Sequence, residues 1–220
     1  EEKEDIEIAG FLAASLAWGQ RPTIIKKCKE LMQLMDYAPH DFVMQAEAQD
    51  YERFCNFKHR TFNSYDCVYF LRSLANIYRH HGGLETVFTR AYQKHQDMFE
   101  VLKEWYSVFT SLPAEARVLR HIANVEKGSA AKRVNMFLRW MVRHDGEVDF
   151  GLWKDIPTSA LLIPLDLHTG NVSRQLGLLT RNQNDRKAVE ELTARLREMD
   201  PVDPIRYDFS LFGLGAFGEI

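Results

Sequence analysis

Two stretches of this 220-residue chain concentrate the side chains that could do chemistry. The first is Lys127–Arg143, KGSAAKRVNMFLRWMVR, with five basic residues (Lys127, Lys132, Arg133, Arg139, Arg143) and no acidic one. Val134, Phe137, Leu138 and Met141 recur at helical spacing and predict a helix with that face turned to the core and Arg133 and Arg143 elsewhere on its surface. A helix opening at Gly128 or Ser129 would present free backbone N–H groups, which suit a phosphate. Alone, such a run is more often a solvated basic face. The second stretch is Ile163–Gly177, IPLDLHTGNVSRQLG, where Asp166 enters a helix just behind Pro164. A carboxylate there reads first as an N-cap, and His168 as a satisfied core histidine. Phe57–Phe62, FKHRTF, mixes cations with aromatic rings; it suits a phosphate or a base, or equally a loop packed through its two phenylalanines.

Helices must position these residues. Apolar periodicity predicts helices from about Ile6 to Gly19, Pro22 to Met35, Ser64 to Gly82, Leu84 to Lys94, Met98 to Thr110, Gly128 or Ser129 to Arg143, Asp166 to Leu176 and Asp185 to Met199. Pro22 suits a first turn, Ser64 a cap, and Gly82-Gly83 and Gly177 suit helix ends. No run alternates as a strand would. The irregular part is Asp145–Leu165, with Gly146, Gly151, Pro157 and Pro164.

Composition narrows the function classes. A hydrophobic share of 45% and an aromatic share of 12% are enough for a packed interior. The net charge of −3 means any polyanion must be met by a local patch rather than by the field of the whole molecule. Cys28, Cys55 and Cys67 make neither a disulfide framework nor a metal-ligand set, and they read as helix-core packing in a reducing cytoplasm. His80-His81 and His144 lack a second ligand at metal spacing, so no metal site is expected. No phosphate or dinucleotide glycine loop occurs, so no cofactor is expected. No apolar run approaches the ~20 residues of a membrane span.

Taken together, the two stretches resemble the helix-hairpin-helix DNA glycosylase superfamily of endonuclease III and the 8-oxoguanine glycosylases. GSAAKRVNMFL is similar to the segment in which a glycine hairpin leads into a helix bearing the catalytic lysine, and IPLDLHTGNVSRQLGL to the segment in which an aspartate opens the following helix. Lys132 falls on the lysine, Asn135 on a helix asparagine, Asp166 on the aspartate and His168 on the adjacent histidine. SLAWGQRPTIIKKCKEL carries a weaker echo, with Gln20 near a glutamine that related enzymes push into the gap left by a flipped base. FGLW, IPLD-H and YDFSLFGLG further resemble a bacterial family of uncharacterised function placed near that superfamily. The chain departs from the pattern in keeping one hairpin glycine, Gly128, and in the 34 residues from Lys132 to Asp166, longer than in endonuclease III.

The resemblance implies an all-α, compact helical domain of two lobes, joined through the Lys127–Arg143 helix. It implies a base-excision repair protein acting on a damaged base, with an oxidised purine as a candidate, in double-stranded DNA with that base flipped out. Lys132 would be the amine nucleophile, its pKa depressed by burial or by Arg133. Asp166 would stabilise the cationic sugar and move protons. Gly128, Ser129, Arg133 and Arg139 would meet the DNA, and Trp18, Trp140 or Trp153 would hold the base beside His168. The competing readings are a non-catalytic helical binding protein that keeps the fold, and a protein–protein scaffold in which Lys132 and Asp166 are unrelated in space.

Overall fold

The computed structural model describes residues 2–144 and 148–218; Asp145 and Gly146, the start of the stretch read as irregular, lie outside the described residues. The chain is all-helical. Its α-helices are α1 (Lys3–Leu16), α2 (Arg21–Leu34), α3 (Pro39–Gln45), α4 (Ser64–His80), α5 (Leu84–His95), α6 (Met98–Phe109), α7 (Lys132–Val142), α8 (Leu167–Gln175), α9 (Arg186–Met199) and α10 (Asp208–Phe217). Short 3-10 turns lie at Ala48–Phe54, Val118–His121, Thr158–Ala160 and Pro204–Tyr207. Among the described residues the extended pairing is limited to two isolated bridges, His59 with Phe62 and His144 with Phe150. No helix among them is long and apolar enough to cross a membrane.

The chain divides into two compact units. The first takes the residues up to Lys94 together with Glu104–Ile122, and the second takes His95–Lys103 together with the residues from Ala123 on. The Lys127–Arg143 stretch, expected from sequence to join two lobes, instead lies wholly in the second unit; the boundary between the units falls at the end of α5 and within α6.

The first unit is built on aromatic packing. Phe11 of α1, Phe70 of α4, Phe88 of α5 and Trp105 and Phe109 of α6 are buried, with Phe88 stacked on Trp105 at 5.8 Å and Phe11 edge-on to it at 5.9 Å. α4 is capped by Asn63 rather than Ser64. Asn63 Oδ1 accepts the Asp66 N–H at 3.3 Å, and the Asp66 carboxylate returns a bond to the Asn63 N–H at 2.9 Å. Phe57 and Phe62 are buried against each other, so FKHRTF is a packed turn that leaves Lys58 and Arg60 exposed. Of the cysteines, Cys67 is buried but Cys55 is exposed, so only part of the expected core role is seen.

In the second unit the face expected on α7 is the one that packs: Val134, Phe137, Leu138 and Met141 are all buried. α8 ends as its glycine suggested, with Gly177 at φ 69°, a left-handed conformation that costs glycine little. α10 packs along α8. A Cβ on Gly215 would meet the His168 carbonyl oxygen at 3.1 Å and Val172 Cγ2 at 3.0 Å, so the two helices cross with little room for a larger residue.

Candidate functional site

The turn before α7 is set by one side chain. Asn124 Oδ1 accepts the N–H groups of Glu126 (2.9 Å) and Lys127 (3.2 Å), and the Asn124 carbonyl accepts the Ser129 N–H at 3.2 Å. This side chain supplies the partners that a helix would have supplied, and α7 starts at Lys132 rather than at Gly128 or Ser129. Gly128 sits at φ 84° with open space around the position of a Cβ, and Lys127 beside it is exposed. The Ser129 hydroxyl accepts the Ala131 N–H at 3.1 Å and serves the turn itself. Ala131 caps α7 at φ 48°, a left-handed conformation that costs a non-glycine residue about 1–2 kcal/mol. Asn135 anchors this entry, donating to the Ala130 carbonyl at 3.1 Å from a buried position.

This entry places Lys132 on the first turn of α7, where Nζ lies 3.2 Å from Asp166 Oδ2. The same carboxylate caps α8: Oδ1 accepts the Thr169 N–H at 2.8 Å. Capping and pairing, two alternatives in the sequence, are both present, one on each oxygen. The Lys132 side chain is 37% exposed and that of Asp166 13%. The Asp166 carbonyl is also held, by the Asn184 amide at 2.9 Å, and Arg174 holds that amide's oxygen at 2.5 Å. Gly170 makes room for this clamp, since a Cβ there would come within 2.6 Å of Asn184 Oδ1.

Two turns along α7, Arg139 is 1% exposed and is not a surface cation. It donates to Asp149 at 3.1 Å and to Asp208 at 2.6 Å, with its guanidinium 3.8 Å from the Phe209 ring centroid. Arg143 donates to Asp149 at 2.7 Å and to Asp203 at 2.9 Å. Arg139 was expected to meet DNA. A guanidinium taken out of water needs carboxylates around it, and these occupy it instead. Asp208 is pushed up to about 6, first by burial, against the opposing effect of Arg139; the charges of Asp166 and Lys132 also reach it.

The remaining expected residues fall variously. Arg133 is half-buried, and burial lowers its guanidinium pKa. His168 is exposed, with Nδ1 3.1 Å from the Gly215 carbonyl and its ring edge-on to Phe212; it is a surface histidine rather than a core one. Trp140 is half-buried. Trp153 is 0% exposed and packed edge-on to Phe137, so it is not available to hold a base. Gln20 and Trp18 belong to the first unit, Gln20 as the exposed N-cap residue of α2 and Trp18 as a half-buried ring beside His59. For a metal, the candidate group among the described residues is Glu2, Glu4 and His40, on the first unit. In that group Glu2 Oε2 lies 3.7 Å from His40 Nδ1. Asp208, Asp149 and Asn184 were not found from sequence. An acidic residue inside the apolar run YDFSLF was the available signal for Asp208, because such a residue needs a partner.

Fold and site describe an all-helical protein with a partly exposed lysine–aspartate pair and, on the same helix, a buried arginine–carboxylate cluster. The chain belongs to the family described as "Protein of unknown function (DUF2400)", which matches residues 1–217. No curated protein and no solved structure matches it.

Proposed function

We propose that this protein excises damaged bases from DNA, with Lys132 as nucleophile and Asp166 as the carboxylate that serves it. The observation carrying this reading is the 3.2 Å Nζ–Oδ2 distance between residues 34 apart in sequence, at a place where the lysine still reaches solvent. Because Oδ1 is committed to the helix cap, Oδ2 is held in place for the lysine. In the proposed step Lys132 gives up a proton, and its nitrogen forms a bond to the sugar anomeric carbon as the glycosidic bond breaks. The base leaves with the bonding pair and is protonated. Ring opening then gives a Schiff base, and Asp166 stabilises the cationic sugar on the way. The open surface at Gly128, with Lys127 beside it, gives a phosphate room to approach.

Borohydride trapping on duplexes carrying oxidised, alkylated or deaminated bases tests this reading. The wild type should form a covalent adduct. Lys132→Arg keeps the charge but not the amine, so it should abolish trapping while keeping most DNA affinity. Asp166→Asn should slow excision by about 100-fold or more, as loss of a charge-stabilising group does. Absence of excision from every duplex at high protein concentration overturns the proposal. Base release that survives both substitutions together does the same. One observation favours a second reading, a binding protein that keeps the fold without the activity: the single-glycine turn uses its serine hydroxyl internally rather than offering it to DNA.

A further inference from the structure

α2 of the first unit is unlike the other helices in how little of it is buried: Leu31 alone among its residues. It carries Arg21, Lys26, Lys27 and Lys29 against one carboxylate, Glu30, and that carboxylate is taken by Lys27 at 2.7 Å. Arg21, Lys26 and Lys29 are exposed, have no carboxylate partner among the described residues, and line one shallow groove with Ile25, Gln33 and the Lys27-paired Glu30. The FKHRTF turn abuts the same helix, with Lys27 Nζ 5.4 Å from the Phe57 ring centroid. Its exposed Lys58 and Arg60 have no carboxylate partner among the described residues either, and Arg60 lies over Trp18 and against Gly19, immediately before α2. Five cations without an ion pair among the described residues thus sit on adjoining elements of a protein whose net charge is −3.

We propose that α2 and the Phe57–Phe62 turn form a binding surface for the sugar–phosphate backbone of nucleic acid. This is a polyanion site on the first unit, separate from the Lys132–Asp166 residues. The inference extends the nucleic-acid part of the function proposed above but does not depend on base excision. Charge complementarity selects the partner. Uncompensated, exposed lysines and arginines are the groups that phosphates attract, each contact releasing counterions. A membrane surface would also be met by cations, but it needs an apolar face to insert. Here the exposed large apolar residue on α2 is Ile25 alone.

Fluorescence anisotropy with a labelled 25-base-pair duplex, as a function of salt, tests the surface. The probe variant is the triple Lys26→Glu, Lys29→Glu, Arg60→Glu. The control variant makes the same change in net charge at exposed cations elsewhere: Arg90→Glu, Lys154→Glu, Lys187→Glu. The probe variant should lose at least 100-fold in affinity at low salt. Its slope of log affinity against log salt should be shallower by about 3, at about 0.9 per lost phosphate contact. The control should change affinity only a few-fold. Equal losses in both variants would mean bulk charge rather than a site and would overturn the proposal. So would absence of wild-type binding, or binding of anionic phospholipid vesicles in place of the duplex. Duplex binding through this surface without any base release would sink the excision reading and leave this one standing; excision undiminished in the probe variant would do the reverse.

Discussion

α7 carries two cation–carboxylate assemblies seven residues apart, so both project from nearly the same face. Lys132 and Asp166 meet near solvent, while Arg139, Asp149 and Asp208 meet out of it, with side chains 2%, 0% and 11% exposed. The same charge types serve opposite ends. A pair that solvent reaches stabilises little and can part to engage something else. A pair out of solvent cannot part, because each ion left alone is severely penalised. The basic run of α7 is therefore one stripe with a solvent-facing end and a buried end, and burial rather than residue type separates them.

The sharpest way to break this contrast is to remove each cation. Arg139→Met strands Asp208 and deprives Asp149 of one partner, so it should cost about 3–5 kcal/mol of unfolding free energy in urea. Lys132→Met should cost about 1 kcal/mol or less. Similar losses for the two would erase the distinction.

Acidity separates them next. The Asp208 carboxyl, pushed up to about 6, keeps a proton in the folded protein that the unfolded chain has already released. Stability should therefore fall as pH rises from about 4 to about 6 and then level off, by at most about 3 kcal/mol. Asp208→Asn cannot ionise and should flatten that segment of the curve in thermal melts taken at each pH.

The Asn184 clamp behind Asp166 comes third. Gly170→Ala forces a Cβ into the Asn184 amide and should destabilise by about 1–3 kcal/mol. If the clamp also positions Asp166, trapping should weaken more than stability does. The smallest effect concerns Asp166 itself. Alanine there should cost about 1 kcal/mol through the lost cap, and asparagine, which caps equally well, nearly nothing in chemical denaturation.

The solvent-facing end is the more legible from sequence, and the reasons are local. The apolar face of α7 repeats within a few residues, and Asp166 stands at a helix entry behind a proline, so periodicity and capping locate both. Their approach to each other came only through a family resemblance. The buried end was illegible because its contacts are long-range: Arg139 finds one partner 10 residues away and the other 69. α10 was missed because Gly213 and Gly215 lower helix propensity, and what makes Gly215 fit is the closeness of α8, which no local pattern announces. The late start of α7 was missed because Asn124, four residues before Gly128, closes the turn with its side chain.

The divided carboxylate of Asp166 bears on how such a protein can change over generations. The cap on α8 uses Oδ1 and the lysine uses Oδ2. Selection for folding alone reads only the first oxygen, and it would accept asparagine as readily as aspartate. Selection for the pair reads the second and accepts only aspartate. One amino-acid change could therefore remove the charge that faces Lys132 with almost no penalty in stability, leaving a descendant that folds and persists without the pair. In a lineage where folding alone is under selection, position 166 should drift between aspartate and asparagine; where the pair matters, it should stay fixed.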